Sequence, residues 1–112
     1  MVVVSSQLAT RGSPHGADYA ASKAALSTWA RSLALAVGPE GKRVNVLAPG
    51  YVDTDILAGD SDEKRNQRIQ EVPLKRIGTG EDMASIVSFL LSNDAAYITG
   101  SVLHANGGLY LP

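Results

Sequence analysis

Apolar and polar residues divide the chain into five patterned blocks. Three short blocks, residues 1–5, 43–48 and 98–106, are rich in β-branched residues. Short, continuous apolar runs are typical of strands buried in a parallel sheet. The longer blocks 19–37 and 81–92 carry apolar residues three or four positions apart, which predicts amphipathic helices. The pattern therefore predicts a β-α-β-α-β order, and strands that alternate with helices favour a parallel sheet.

Glycine and proline mark the boundaries between these blocks. Residues 7–18 are rich in both and predict a loop. Gly38-Pro39 is a typical helix stop. Pro49-Gly50 ends the second strand, so the chain is expected to turn sharply there.

Two regions carry less regular patterns. Residues 53–76 are mostly polar and predict irregular structure. Their charged run, residues 60–70, favours a solvated helix face, with a mobile cover over a site as the alternative. Within the first long helix, one face carries the apolar residues Leu26, Trp29, Ala30, Leu33 and Val37.

The composition excludes several classes of protein. The chain has 112 residues, 45% of them apolar, and a net charge of −1, so it is expected to form one globular domain without a basic surface for nucleic acid. Its apolar runs are too short to span a membrane. It has no cysteine, and its two histidines, His15 and His104, lie far apart, so no metal site is expected. These features favour a cytoplasmic protein.

Three polar residues near the start of the chain suggest acid–base chemistry. Tyr19 and Lys23 are four residues apart at the start of the first long helix, so their side chains share one helix face. Ser6 follows the first apolar run. A hydroxyl, a phenol and an ammonium group together suit the polarisation and protonation of a carbonyl. The alternative is structural, with Tyr19 at the rim of a pocket and Lys23 as a solvated charge.

Three segments together identify a family. They are SSQLATRGSPHGADYAASK at 5–23, RVNVLAPGYVDTD at 43–55 and YITGSVLHANGG at 97–108. In this order the chain resembles the short-chain dehydrogenase/reductase family, most of all its 3-oxoacyl-acyl carrier protein reductases. The resemblance implies an α/β fold, a partial doubly wound, Rossmann-like parallel sheet. It further implies that residues 1–112 form the C-terminal half of a single domain, with the N-terminal dinucleotide-binding half absent.

The resemblance also implies roles for the polar residues at the start of the chain. Tyr19 would be the catalytic acid or base. Lys23 would favour the phenolate by its charge and bond the nicotinamide ribose, so that both residues also contact the cofactor. Ser6 would hold the substrate oxygen. The implied reaction is hydride transfer between the nicotinamide of NAD or NADP and a small carbonyl or alcohol substrate.

A second set of implied contacts follows the second strand. Pro49 and Gly50 would let the backbone turn beside the nicotinamide ring. The main chain of Val52 would meet the carboxamide, and the hydroxyl of Thr54 would meet the carboxamide or the phosphates. A helix N-cap is the alternative for Thr54.

One part of the family pattern is not found in the sequence. No glycine-rich turn follows a strand and opens a helix. Gly78-Thr79-Gly80 is the nearest candidate, but the acids Glu81 and Asp82 that follow favour a plain helix start. The alternative to an oxidoreductase is therefore a truncated, non-catalytic remnant or association module. In either case we expect a homo-oligomer with no nucleic-acid or membrane partner.

Overall fold

The computed structural model describes residues 1–55 and 57–112 in full, and residue 56 by its backbone alone. Its centre is a parallel sheet of three strands, β1 (Val2–Val4), β2 (Asn45–Pro49) and β3 (Val102–Ala105), in the order β1-β2-β3. Both pairs of neighbouring strands are parallel. The predicted α/β fold with a parallel sheet is confirmed.

Five helices connect or flank the strands. Two of them are long, with 21 and 12 residues. The helices are α1 (Leu8–Arg11), α2 (Ala17–Val37), α3 (Asp55–Ala58), α4 (Asp62–Glu71) and α5 (Gly80–Leu91), with short 3-10 turns at Gly38–Glu40 and Asn93–Ala95.

Two predicted irregular regions contain helices. The loop at 7–18 includes α1, and the polar segment 53–76 includes α3 and α4. α4 forms despite its lack of buried residues because the hydroxyl of Ser61 accepts a hydrogen bond from the Lys64 N–H and two acids occupy its first turn. Local capping therefore defines α4 where the hydrophobic pattern does not.

α2 covers one face of the sheet. Residues at the same register position in neighbouring strands share a face, and Val3, Val46 and Val102 are aligned. They pack with Ala30 and Ala34 of α2. The small alanines bring the helix axis close to the strands, whereas Trp29 stays 52% exposed. Of the apolar face predicted for α2, Ala30 is thus buried and Trp29 is not.

α5 covers the other face. Leu47 alternates with Val46, so it points away from α2, and it is 1% exposed. α5 contacts both β1 and β2. Its C-terminal end is held by Arg43, whose guanidinium donates to the carbonyls of Leu90 at 2.8 Å and Ser92 at 3.1 Å. A cation at the carbonyl end of a helix is favourable.

The start of α5 is a capping box. The Thr79 hydroxyl accepts from the Asp82 N–H at 3.1 Å, and the Asp82 carboxylate accepts from the Thr79 N–H at 2.8 Å. Arg76 donates two further hydrogen bonds to that carboxylate. The interpretation of residues 78–80 as a loop followed by a helix N-terminus is confirmed.

Asp82→Asn is expected to reduce the loss of folding stability that occurs when the pH is lowered. The hydrogen bonds from Arg76 and Thr79 hold the pKa of Asp82 well below its ordinary value of 3.8. Because the pKa of this carboxyl group is lower in the folded chain than in the unfolded chain, ionised Asp82 stabilises the fold at pH values above the unfolded-state pKa. This stabilisation is lost as the pH falls from the unfolded-state pKa towards the folded-state pKa. Thermal unfolding at about pH 7 and about pH 3 measures the difference. The variant should lose less stability than the wild type between these values.

The matched control is Asp94→Asn, which changes an exposed acid near the other end of α5. It should lose as much stability as the wild type when the pH is lowered. If Asp82→Asn also loses as much stability as the wild type, the role assigned to the cap would be contradicted.

Candidate active site

The predicted catalytic residues lie at the carboxyl end of the sheet. Ser6 comes two residues after β1 and is buried. Because β1 and β2 are parallel, α2 has to return the chain between them, so α2 begins at this same end. Tyr19 and Lys23 occupy its first two turns. In open α/β sheets this end is where ligands bind.

Lys23 is tied to the end of β1 by several hydrogen bonds. Its ammonium donates to the Val4 carbonyl at 3.2 Å. Its own carbonyl accepts from the Ser5 hydroxyl and the Ser27 hydroxyl, both at 3.0 Å, and these hydroxyls are 2.8 Å apart. Ser5 and Ser27 are buried. Sequence reasoning missed both serines, although their signal is visible: a polar residue directly after a strand, and another one turn after Lys23.

Tyr19 lies one helical turn before Lys23 and is 44% exposed. The Lys23 ammonium is 5.7 Å from the centroid of its ring. The structure therefore brings these two side chains together. No hydrogen bond joins Tyr19 to Ser6 in the part of the chain that the structure describes; the Ser6 hydroxyl accepts from the Leu8 N–H at 3.1 Å.

The Pro49-Gly50 turn is held from both sides. The Gln7 N–H donates to the Pro49 carbonyl, and the Gly50 N–H donates to the Ala105 carbonyl, each at 3.0 Å. A side chain at position 50 has no room, since a Cβ there would lie 2.6 Å from the Cβ of Asn106. The glycine thus permits a close approach between the ends of β2 and β3.

Gln7 is a second residue that sequence reasoning missed. It is 3% exposed, and its Oε1 atom is buried without a hydrogen-bond partner among the described residues. That oxygen would lie 3.4 Å from a Cβ at Gly50. A buried amide beside the turn makes this edge of the sheet more polar than the pattern of the sequence suggested.

Val52 forms an isolated parallel bridge with Gly78. The bridge uses the peptide groups that flank Val52: the Gly78 N–H donates to the Tyr51 carbonyl at 2.9 Å, and the Asp53 N–H donates to the Gly78 carbonyl at 2.8 Å. In this geometry the N–H and C=O of Val52 itself point away from Gly78. Val52 therefore presents one donor and one acceptor on the far side of the bridge.

Thr54 stands at the N-cap of α3. Its backbone carbonyl accepts from Leu57 and Ala58, but its hydroxyl makes no capping bond. The side chain is exposed. The N-cap position is confirmed, and the hydroxyl is not used by the helix.

Comparisons with known proteins agree with this geometry. A family profile described as Enoyl-(Acyl carrier protein) reductase matches residues 1–110. The chain belongs to the short-chain dehydrogenase/reductase family. This is a family of NAD(P)-dependent oxidoreductases, and the predicted family is confirmed.

The similar proteins include bacterial reductases of the same family. The 3-oxoacyl-acyl-carrier-protein reductase FabG of Salmonella typhimurium is 42% identical over 111 residues, which cover 99% of this chain and 46% of that protein. The reductase of the same name from Chlamydia muridarum is 44% identical over 109 residues, or 97% and 44% of the two chains. This short-chain dehydrogenase/reductase chain therefore spans less than half the length of these relatives.

A solved structure is also similar. The short-chain dehydrogenase/reductase of Brucella melitensis, titled glucose/ribitol dehydrogenase, superposes with a TM-score of 0.93 at 32% identity. The match covers 99% of this chain and 45% of that one. The likeness extends over all three strands and the helices between them.

Part of the family's cofactor fits the residues described. A nicotinamide carboxamide has an amide donor and a carbonyl acceptor, and Val52 presents the complementary pair at the end of β2. Gly50, two residues earlier, adds no side chain to this edge of the sheet. Among the described residues, however, no strand is joined to a helix by a glycine-rich turn for the pyrophosphate. The fit is thus to the nicotinamide end of the cofactor.

A cavity of about 660 Å³ in this short-chain dehydrogenase/reductase chain borders the loop after β2. It is formed by Tyr51, the segment before α5, the first turns of α5 and the end of β3, and none of the predicted catalytic residues lines it. His104 lies in β3 and His15 is exposed. Within residues 1–55 and 57–112, no three acids or histidines are grouped to hold a metal ion. No helix described is long and apolar enough to cross a membrane.

Proposed function

We propose that the chain carries the catalytic residues of a short-chain oxidoreductase, which transfers hydride between the nicotinamide of NAD or NADP and a carbonyl or alcohol. The observation that supports this most strongly is the placement of Tyr19 one turn before Lys23, with Lys23 fixed to the end of β1 beside Ser6. An exposed phenol next to an anchored cation, at the ligand-binding end of the sheet, suits proton transfer to a bound substrate.

Each of the three side chains has a distinct role in this proposal. Tyr19 donates or accepts the proton at its exposed hydroxyl. Lys23 supplies a positive charge that favours the phenolate. The Ser6 oxygen already accepts from the Leu8 N–H, so its own proton is available for the substrate oxygen, where negative charge develops.

The residues after β2 would orient the cofactor. The Val52 peptide groups bind the carboxamide, the Thr54 hydroxyl bonds the carboxamide or the phosphates, and Pro49-Gly50 lies against the ring. When bound, the nicotinamide supplies or accepts the hydride. The pyrophosphate and adenosine would then be held by residues beyond those described, in the half of the domain that the longer relatives possess.

The alternative function is an association module without turnover. One edge of β1 has no partner strand among the described residues, and Val4 on β1 is 50% exposed. An open, apolar strand edge favours pairing with another chain. Such pairing is also expected if the chain completes its sheet with the other half of an oxidoreductase domain.

A hybrid enzyme tests the proposed function. The first half of the Salmonella reductase, joined to these 112 residues, should oxidise NADPH or NADH in the presence of a 3-oxoacyl thioester, a substrate class taken from that relative's name. The decrease in nicotinamide absorbance measures turnover. A folded hybrid that binds the dinucleotide but turns over no carbonyl substrate would favour the association module.

A further inference from the structure

One face of α4 contacts the loop that carries Val52. Arg65, Arg68 and Glu71 recur at three-residue intervals, so they lie along the same side of the helix. Each of them makes a contact with the loop. The interaction therefore extends along the length of the helix and is not confined to a single ion pair.

The residue before Val52 is held by the C-terminal part of α4. The Tyr51 hydroxyl donates to the Glu71 carboxylate at 2.9 Å, and the Arg68 guanidinium lies 4.7 Å from the centre of the Tyr51 ring. Arg68 is itself fixed by a 2.6 Å ion pair with Asp60. Burial and the Glu71 bond raise the pKa of Tyr51 above 10.0, so its hydroxyl remains a donor at neutral pH.

The residue after Val52 is held by the N-terminal part of α4. Arg65 donates to both carboxylate oxygens of Asp53, at 3.2 and 3.1 Å. A bidentate pair of this kind fixes the orientation of both groups. The same two residues, Tyr51 and Asp53, also form the backbone bridge to Gly78.

We propose that α4 braces the Val52 peptide, and that Arg65 and Glu71 are positioning residues for the nicotinamide carboxamide. By holding Tyr51 and Asp53, they fix the two peptide planes that set the direction of the Val52 N–H and C=O. The proposal rests on the proposed function for the identity of the ligand, although the brace itself is a property of this chain alone.

The contacts are partly exposed, so each is individually weak. Their effect depends on acting together on both sides of one residue. The informative variant is therefore the double substitution Tyr51→Phe with Arg65→Ala, which removes the Tyr51–Glu71 hydrogen bond on one flank and the bidentate Arg65–Asp53 pair on the other. The phenylalanine keeps the ring beside Arg68. Lys42→Ala is the matched control, because it removes an exposed ion pair with Glu40 far from this loop.

Hydrogen exchange on the 112-residue chain tests the brace without any cofactor. The amides of Asp53 and Gly78, both in the bridge, should exchange at least about threefold faster in the double variant, with no such change in Lys42→Ala. A smaller change in the double variant would overturn the proposal. Wild-type amides that already exchange at the rate of an exposed peptide would overturn it too.

The hybrid enzyme tests the link to the cofactor. The double variant should raise the KM for the dinucleotide roughly tenfold and leave kcat within about threefold, since it disturbs binding and not proton transfer. A lowered kcat with an unchanged KM would overturn the positioning role. A failure of the proposed function would be seen separately, because Tyr19→Phe would then retain turnover in the hybrid. That result would not change the hydrogen-exchange test of the brace.

Discussion

Replacing Tyr19 with phenylalanine is expected to lower turnover by about 10²–10⁴-fold in an enzyme that carries these residues, the usual cost of losing a general acid–base group. The substitution removes only the hydroxyl. Tyr19 is 44% exposed and its hydroxyl makes no hydrogen bond with Ser6 or Lys23, so the fold should not depend on it. Steady-state rates of the hybrid enzyme measure the effect.

The control for this substitution is Tyr97→Phe. Tyr97 is fully exposed, and it follows the 3-10 turn at Asn93–Ala95, outside the predicted site. It should preserve the full rate. Circular dichroism of both variants checks that the fold is unchanged. A Tyr19→Phe rate within about threefold of the wild type would show that this tyrosine is not the proton donor.

Gly50→Ala is expected to destabilise the chain by about 1–3 kcal/mol, the range for overpacking a close contact. The new Cβ would lie 2.6 Å from the Cβ and 2.9 Å from the Cα of Asn106. Asn106 cannot easily move away, because its side chain donates to the Tyr110 carbonyl and accepts from the Gly108 N–H. Relief of the clash has to shift the backbone at the end of β2 or β3.

Urea unfolding of the 112-residue chain measures this cost. Gly59→Ala is the control, since Gly59 has a φ of −83°, is not followed by proline, and a Cβ added there would meet no atom of a non-neighbouring residue within 4 Å. It should be neutral or stabilising by about 0.4–1 kcal/mol. Equal stability of Gly50→Ala and the wild type would mean that the turn is looser than the structure indicates. In the hybrid, the shifted turn should also weaken dinucleotide binding.

The sheet and its two long helices were predictable from local patterns. The β-branched run Val2–Val4 and the apolar core of β2 could form little else, and α2 combines helix-favouring residues with a clear stop at Gly38. The positions of Tyr19 and Lys23 follow from this. Because β1 and β2 are parallel, α2 has to begin at the carboxyl end of β1. Tyr19 and Lys23 are four residues apart in its first two turns, so both side chains lie at that end.

The parts that were missed depend on contacts between distant segments. Periodicity places Trp29 and Ala30 on one face of α2, but it does not say that the small side chains of Ala30 and Ala34 meet the sheet while the indole stays exposed. The bond between Ser5 and Ser27 joins residues 22 apart, and the bond from Tyr51 to Glu71 joins residues 20 apart. Hydrophobic periodicity carries no information about such polar pairs.

The parallel sheet also determines how the chain can fold. The bond from the Met1 ammonium, just before β1, to the Arg43 carbonyl spans 42 residues, and the bond from Val44 to Thr99 spans 55. Because all strands described run in one direction, no hairpin can start the sheet, and each pairing has to close a long loop first. We therefore expect helices such as α2 to gain structure early, and sheet formation to set the overall rate and make folding slower than that of a helical bundle of this size.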